Sequence, residues 1–156
     1  RRPYLFIRED GLRRRMSTAP VETDLDPDAA DRLVSAARTS LGDTLRSVVY
    51  FTPSAFDVLY VRQDLYDTAA AAREAKSQLV EFERLGFAEK PVRTLLAQQG
   101  DGSDIGPYRF TVRFHEDGFV VRILGNDDGV LFTTDSMDVR AFEEAAIAIR
   151  RLLDRD

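Results

Sequence analysis

The chain has 156 residues and a mass of 17.6 kDa, which is the size of one domain rather than two. Hydrophobic residues make up 44% of it and charged residues 31%, so it can bury a core and is not compositionally disordered. It has no cysteine, which excludes disulfides and thiolate chemistry, and one histidine, which is too few for a multi-histidine metal site. We find no apolar run near the roughly 18 residues of a membrane span and no secretory signal pattern, and we therefore expect a cytoplasmic protein.

Arginine carries almost all of the positive charge. Among 22 basic residues only Lys76 and Lys90 are lysines, and the 27 acidic residues give a net charge of −5. A chain poor in lysine and rich in aspartate and alanine is typical of a halophilic archaeon, because short carboxylates keep a surface hydrated at high salt. A GC-rich genome produces the same bias. The net negative charge argues against non-specific binding to nucleic acid.

Residues 1–15 differ from the rest, since six arginines and two acids give them a net charge of +4. Three interpretations are open: a native basic arm, a remnant of an expression vector, or a partner's recognition peptide joined to the domain. The apolar residues near Tyr4 and Phe6 could add as a strand to an exposed sheet edge, so both are candidate partner-binding residues. We expect an N-terminal arm and linker over residues 1–25 and one α+β domain over residues 26–156.

The domain is predicted to begin with a helix and a hairpin. Apolar residues recur at helical spacing over residues 27–41, with Asp26 as the N-cap and Gly42 as the left-handed end. Residues 45–51 and 56–61 are β-branched and aromatic and are separated by a short turn, which predicts two paired strands.

The next segment is predicted to be helical. An alanine-rich helix is expected over residues 66–85, with Asp67 near its start and Gly86 as its end. A short helix over residues 92–98 follows it. The predicted buried stripe of the longer helix consists of Ala72, Ala75, Leu79 and Phe82.

Three strands and a helix complete the chain. Strands are predicted over residues 108–114, 119–124 and 130–134, and a last helix is expected to be capped by Asp135 or Ser136. The order helix, two strands, helix, three strands, helix predicts an α+β fold. Its core is a five-stranded antiparallel sheet in a two-plus-three arrangement with helices before, between and after.

Strand alternation selects the main candidate site. If Phe114 pairs with Phe119, one face of this hairpin is apolar and the other carries Arg109, Arg113 and Arg122. Three guanidinium groups on adjacent strands can clasp a carboxylate, a phosphate or an acidic partner, which makes these arginines candidate partner anchors. The alternative is a solvated strand face in an arginine-rich chain.

Other chemistry is sparse in the sequence. His115 is interpreted as an exposed turn residue rather than a proton shuttle. Asp57, Asp64 and Asp67 lie near a strand end and a helix start, and strand-end and capping roles explain them more simply than a cation site. We find no phosphate-binding loop, GxSxG motif or dinucleotide-binding fingerprint. We therefore expect no catalysis, no metal and no cofactor.

Two resemblances extend this interpretation. The order of elements from Asp26 onward resembles roadblock, longin and profilin-like domains, which implies dimerisation and docking of small GTPases or other signalling proteins. The segments LYVRQDLYD, YRFTVRFHEDG and DGVLFTTD are similar to a small uncharacterised haloarchaeal protein family, which implies no activity. We expect a regulatory, non-catalytic binding module that docks protein partners as a homodimer. A GAF/PAS-type sensor, with a small molecule between sheet and helices, is the alternative.

Overall fold

A computed structural model describes residues 22–99 and 104–154, together with the backbone of a two-residue strand at Tyr4–Leu5. The helices are α1 (Pro27–Leu41), α2 (Ala69–Ala88), α3 (Lys90–Gln99) and α4 (Val139–Leu153). The strands are β1 (Tyr4–Leu5), β2 (Leu45–Phe51), β3 (Phe56–Arg62), β4 (Thr111–His115), β5 (Gly118–Leu124) and β6 (Gly129–Thr134). None of the described helices is long and apolar enough to cross a membrane.

The strands form one antiparallel sheet in the order β1-β3-β2-β6-β5-β4. The predicted α+β class, the two-plus-three strands and the positions of the helices are confirmed. The short strand β1 extends the five-stranded core sheet beside β3, while β4 forms the opposite edge. The predicted pairing of Phe114 with Phe119 is also confirmed, since hydrophobic alternation strongly constrains register where a sheet face is buried.

Local capping chemistry fixes α1 at the predicted bounds. The Asp26 carboxylate accepts hydrogen bonds from the backbone amides of Asp28 and Ala29, at 3.1 and 3.3 Å. Gly42 has a φ of 57°, a conformation that costs a glycine little, and it ends the helix. The apolar stripe of α1 packs with α4 against one face of the sheet, and we refer to this side as the α1/α4 face.

The opposite face of the sheet is covered by α2, and we refer to it as the α2 face. Its apolar cluster includes Val49, Val58 and Leu131 from the sheet and Ala72 and Val80 from the helix. The sheet is therefore buried on both sides, which explains why β2 and β3 carry apolar residues at consecutive positions.

The predictions for α2 were wrong in three respects. The helix is capped by Thr68, whose hydroxyl accepts from the amide of Ala71 at 3.0 Å, and it continues through Gly86. Phe82 is largely exposed rather than buried. The buried stripe includes two charged residues that an apolar pattern does not reveal, and its members are Ala72, Lys76, Val80, Glu83 and Gly86.

The predicted caps of α4 were also wrong, because Asp138 caps it by accepting from the amide of Ala141 at 3.1 Å. Asp135 instead contacts two arginines. Its carboxylate lies 2.5 Å from a nitrogen of Arg62 and 3.0 Å from one of Arg46. An aspartate that caps a helix cannot be distinguished from one that pairs with an arginine in a single sequence. Only the position of Arg62 in the folded chain shows that Asp135 forms an ion pair.

Candidate functional site

Among the described strands, β4 forms an edge of the sheet and carries exposed apolar side chains, and we name this edge the β4 edge surface. It consists of β4 with Phe114, which lies on the α1/α4 face, together with Phe82 of α2 on the opposite face. Phe114 is 75% exposed, and its ring packs edge to face on Phe119 with ring centroids 4.9 Å apart. An edge strand presents backbone N–H and C=O groups on its outer side, and apolar side chains beside such an edge are typical of an interaction surface.

Arg113 lies at this surface and is held in place from two sides. Its Cζ is 4.1 Å from the centroid of the Phe82 ring, and its Nε donates to a carboxylate oxygen of Glu83 at 2.9 Å. The His115 ring also meets Phe82 edge to face, with centroids 6.5 Å apart. The exposed aromatic ring of Phe82 is therefore fixed against β4 by a cation–π contact and an aromatic contact.

Arg122 lies under α2 and does not face solvent. It is 1% exposed and donates to the Glu83 carboxylate at 3.4 Å, while Glu83 itself has no exposed surface. Its other amino group donates to Thr111 at 2.9 Å, to Glu89 at 3.2 Å and to Tyr108 at 3.3 Å. A buried guanidinium without a carboxylate would be strongly destabilising, so Glu83 makes its burial possible.

The predicted clasp of three exposed arginines is therefore corrected. Arg113 and Arg122 do share the α2 face, as the alternation predicted, and both contact the Glu83 carboxylate. Arg109 precedes β4 and is exposed. A role of Arg109 or of the partly exposed Arg113 in partner binding remains a prediction, whereas Arg122 is buried beneath α2.

Gly86 explains how Arg122 fits beneath the helix. A Cβ atom at this position would lie 2.5 Å from Cζ and from Nη1 of Arg122, which is closer than atoms can approach. The sequence pattern predicted the end of the helix at this glycine. A glycine inside a helical pattern can serve close packing instead of ending the helix, and Gly86 makes room for the guanidinium of Arg122 from the sheet.

A second buried arginine secures the other end of the sheet. Arg62 donates to the carbonyl of Asp43 at 2.9 Å and to Asp64 at 2.7 Å, in addition to its contact with Asp135. The Arg62 guanidinium lowers the pKa of the Asp135 carboxyl. This group serves the packing of β3 and β6 and gives no indication of an external ligand.

The aspartates considered as cation ligands contact other groups. Asp64 pairs with Arg62, and Asp57 accepts hydrogen bonds from the hydroxyl and the amide of Thr23, the latter at 3.1 Å. Burial raises the pKa of Asp57. Within residues 22–99 and 104–154, we find no group of three or more side chains that could hold a metal ion.

The arm residues are described only in part. Phe6 lies outside the described residues, as does the side chain of Tyr4. The backbone of β1 pairs with β3 in the register Tyr4 to Arg62 and Leu5 to Val61. The apolar arm segment therefore adds to a sheet edge of its own chain, and binding of a partner by Tyr4 and Phe6 remains a prediction.

One open cleft of about 1010 Å³ bears on the sensor alternative. It lies between the segment 22–26, α1, the end of α4 and the β2–β3 turn, and its walls carry polar side chains such as Asp24 and Arg32 beside the apolar Leu33 and Leu152. A GAF/PAS-type ligand would lie between sheet and helices, in a mostly apolar environment. The walls of this cleft are polar and apolar in similar measure, and the sensor alternative remains a prediction.

Comparison with known proteins places the chain in a family. Two solved structures are similar to it. The gliding protein MglB from Thermus thermophilus has a TM-score of 0.49 and 13% identity, over 89% of this chain and 100% of that chain. MglB with a tetrameric arrangement has a TM-score of 0.46 and 12% identity, over 88% of this chain and 98% of that chain. No curated protein matches the sequence. Residues 31–154 match the family described as domain of unknown function DUF7522, and because they make up most of the chain, the protein belongs to that family.

Proposed function

We propose that the protein is a non-catalytic docking module that forms a homodimer through the β4 edge surface. The observation that supports this proposal is an edge strand with exposed Phe82 beside one face and exposed Phe114 on the other. Burial of these side chains and pairing of the strand backbone would both stabilise an interface.

A second copy of the chain is the partner that this edge fits best. Antiparallel pairing of a strand with its own copy has two-fold symmetry, so one surface supplies both sides of the contact. If the sheet continues across the two copies, both α2 helices lie on the same side, with Phe82 beside the paired β4 strands. Glu83 neutralises Arg113, which removes the repulsion that two arginines on paired strands would otherwise cause.

The other edge of the sheet is less suited to a second copy. The backbone of β1 occupies the positions beside Arg62 and Val61 of β3, so that edge is already extended within the chain. The edge at β4 has a run of five strand residues, Thr111–His115.

We further propose that the dimer docks a small GTPase or another signalling protein. The order of helices and strands, which resembles that of roadblock and longin domains, supports this step. A purified small GTPase from the same organism, loaded with GDP or with GTP, would be titrated with the protein by isothermal calorimetry. Saturable binding to either form supports the step, and no binding to any GTPase of that organism would contradict it.

The homodimer is tested by molar mass in solution, measured with light scattering after gel filtration. We expect the native protein to have the mass of a dimer and the variant Phe82→Glu to have that of a monomer. Ile147→Glu is a matched control, because Ile147 on α4 and Phe82 are both 42% exposed. A monomeric native protein, or equal behaviour of the two variants, would contradict the proposed interface.

A further inference from the structure

A basic cleft of about 270 Å³ lies where α3 begins, between the β5–β6 turn and the last turn of α4. Three cationic side chains line it, namely Lys90, Arg93 and Arg150. Among its described lining residues the only carboxylate is Asp154. The cleft therefore has an excess of positive charge on a chain whose net charge is −5.

Each cation is oriented by a contact that leaves donors unused. The Lys90 ammonium donates to the Asn126 side chain at 2.6 Å, and Arg150 Nε lies 3.4 Å from Asp154. Arg93 donates to the carbonyl of Gly86. A lysine has three N–H donors and an arginine five, so these contacts satisfy only part of their capacity.

Arg93 is poorly compensated for its degree of burial. Its side chain is mostly buried, its Cζ lies 5.6 Å from the centroid of the Tyr108 ring, and the nearest carboxylate oxygen, on Glu89, is 3.8 Å away. Burial lowers the pKa of the Arg93 guanidinium, and the charges of Arg122 and Arg150 lower it further. An anion in the cleft would offset the cost of burying the Arg93 guanidinium and its repulsion by Arg122 and Arg150.

We propose that this cleft binds a small oxyanion, either phosphate or a phosphate monoester. Arginines bind phosphate through paired N–H donors and lysine adds a point charge, so the cations of the cleft match a doubly charged tetrahedral anion. The Thr94 hydroxyl at the wall of the cleft offers a further donor. None of these residues belongs to the β4 edge surface, so this proposal stands or fails independently of the homodimer.

The proposal is tested by isothermal calorimetry with inorganic phosphate and with glycerol phosphate, in chloride buffer at constant ionic strength. The variants are Arg93→Gln and Arg150→Gln. Because Arg93 also contacts the α2 backbone, circular dichroism checks its fold, and the more exposed Arg150 carries the test if Arg93→Gln unfolds. The matched control is Arg140→Gln, which removes an exposed arginine from the same helix, about 15 Å from Arg150 along α4.

We expect saturable binding of one anion per chain, with a dissociation constant about tenfold higher in Arg150→Gln than in the native protein. Arg140→Gln should leave it unchanged. Tighter binding of glycerol phosphate than of inorganic phosphate would identify a phosphate monoester, and the reverse would identify free phosphate. The absence of saturable binding at millimolar concentrations of both ligands, or an equal effect of Arg140→Gln and Arg150→Gln, would overturn the proposal.

Discussion

The buried lysine of α2 should lower the free energy of unfolding of the native protein. Lys76 is 3% exposed, and among the described contacts its ammonium meets only the Tyr66 ring, at 5.6 Å from the centroid. An aromatic face compensates a buried charge much less than a carboxylate does. We therefore expect Lys76→Met, which keeps the length of the side chain and removes its charge, to stabilise the native state.

The size of this effect follows from the pKa of Lys76. Burial lowers it from 10.5 to about 8, and the nearby charge of Arg46 acts in the same direction. At 1.36 kcal/mol per pKa unit, this difference corresponds to a cost of about 3 kcal/mol while the lysine is charged in both folded and unfolded states. That cost is fully present below pH 8. It disappears between pH 8 and 10.5, because there the folded protein releases a proton that the unfolded chain still binds.

Urea unfolding at pH 7 and at pH 10, followed by circular dichroism because the chain has no tryptophan, measures this difference. We expect Lys76→Met to gain up to about 3 kcal/mol at pH 7 and less than about 1 kcal/mol at pH 10. Lys90→Met is the control, since Lys90 is the other lysine of the chain and is exposed. A gain that is absent at pH 7, or equal at the two pH values, would refute the reasoning.

Three further predictions concern the ion pairs of Arg122 and of Arg62. Glu83→Gln should lower the free energy of unfolding by about 3 kcal/mol, because it removes the buried carboxylate that pairs with Arg122 and leaves only the exposed Glu89. Glu81→Gln, at an exposed position of the same helix, should change it by less than about 1 kcal/mol in the same urea titration. Gly86→Ala should lower the melting temperature because the added Cβ would overlap the guanidinium of Arg122, although alanine by itself favours a helix. A higher melting temperature would contradict this packing. Asp135→Asn should make the free energy of unfolding fall less steeply on acidification. Two arginines lower the pKa of the Asp135 carboxyl in the folded state, so the stability that this carboxylate contributes is lost as the pH falls below 3.8 through the folded pKa. Acid unfolding curves that coincide for the variant and the native protein would contradict this prediction.

The parts of the fold that could be predicted are those with a local physical cause. Asp26 and Gly42 bound α1 through hydrogen bonds and a backbone angle that involve only neighbouring residues. The pairing of Phe114 with Phe119 follows from alternation along two adjacent strands. The end of α2 could not be found in this way, because Gly86 continues the helix and leaves room for Arg122, which lies far along the chain.

The candidate site shows the same division between local and distant causes. Alternation assigned Arg113 and Arg122 to the correct face, but a pattern of period two gives the face of a residue and not its exposure. The exposure depends on whether a helix covers that face and which charges the helix carries. Glu83 was the available signal, since a lone carboxylate on the apolar side of a helix needs a basic partner. The importance of β4 was not evident, because the position of a strand in the sheet order is a property of the whole fold.

The two faces of the sheet are stabilised by different means, and this bears on the proposed interface. Of the residues that the structure describes, nineteen buried ones form the apolar cluster of the α1/α4 face and ten form that of the α2 face. Because its apolar cluster is smaller, the position of α2 on the sheet depends more on ion pairs. Ion pairs require a specific geometry, whereas apolar contacts are non-directional. Glu83 binds one arginine from β4 and one from β5, so it fixes α2 relative to the open edge of the sheet. The same contacts hold Phe82 against Arg113. We therefore interpret the buried ion pairs as the feature that positions the apolar part of the β4 edge surface, at a cost in stability that an apolar contact would not carry.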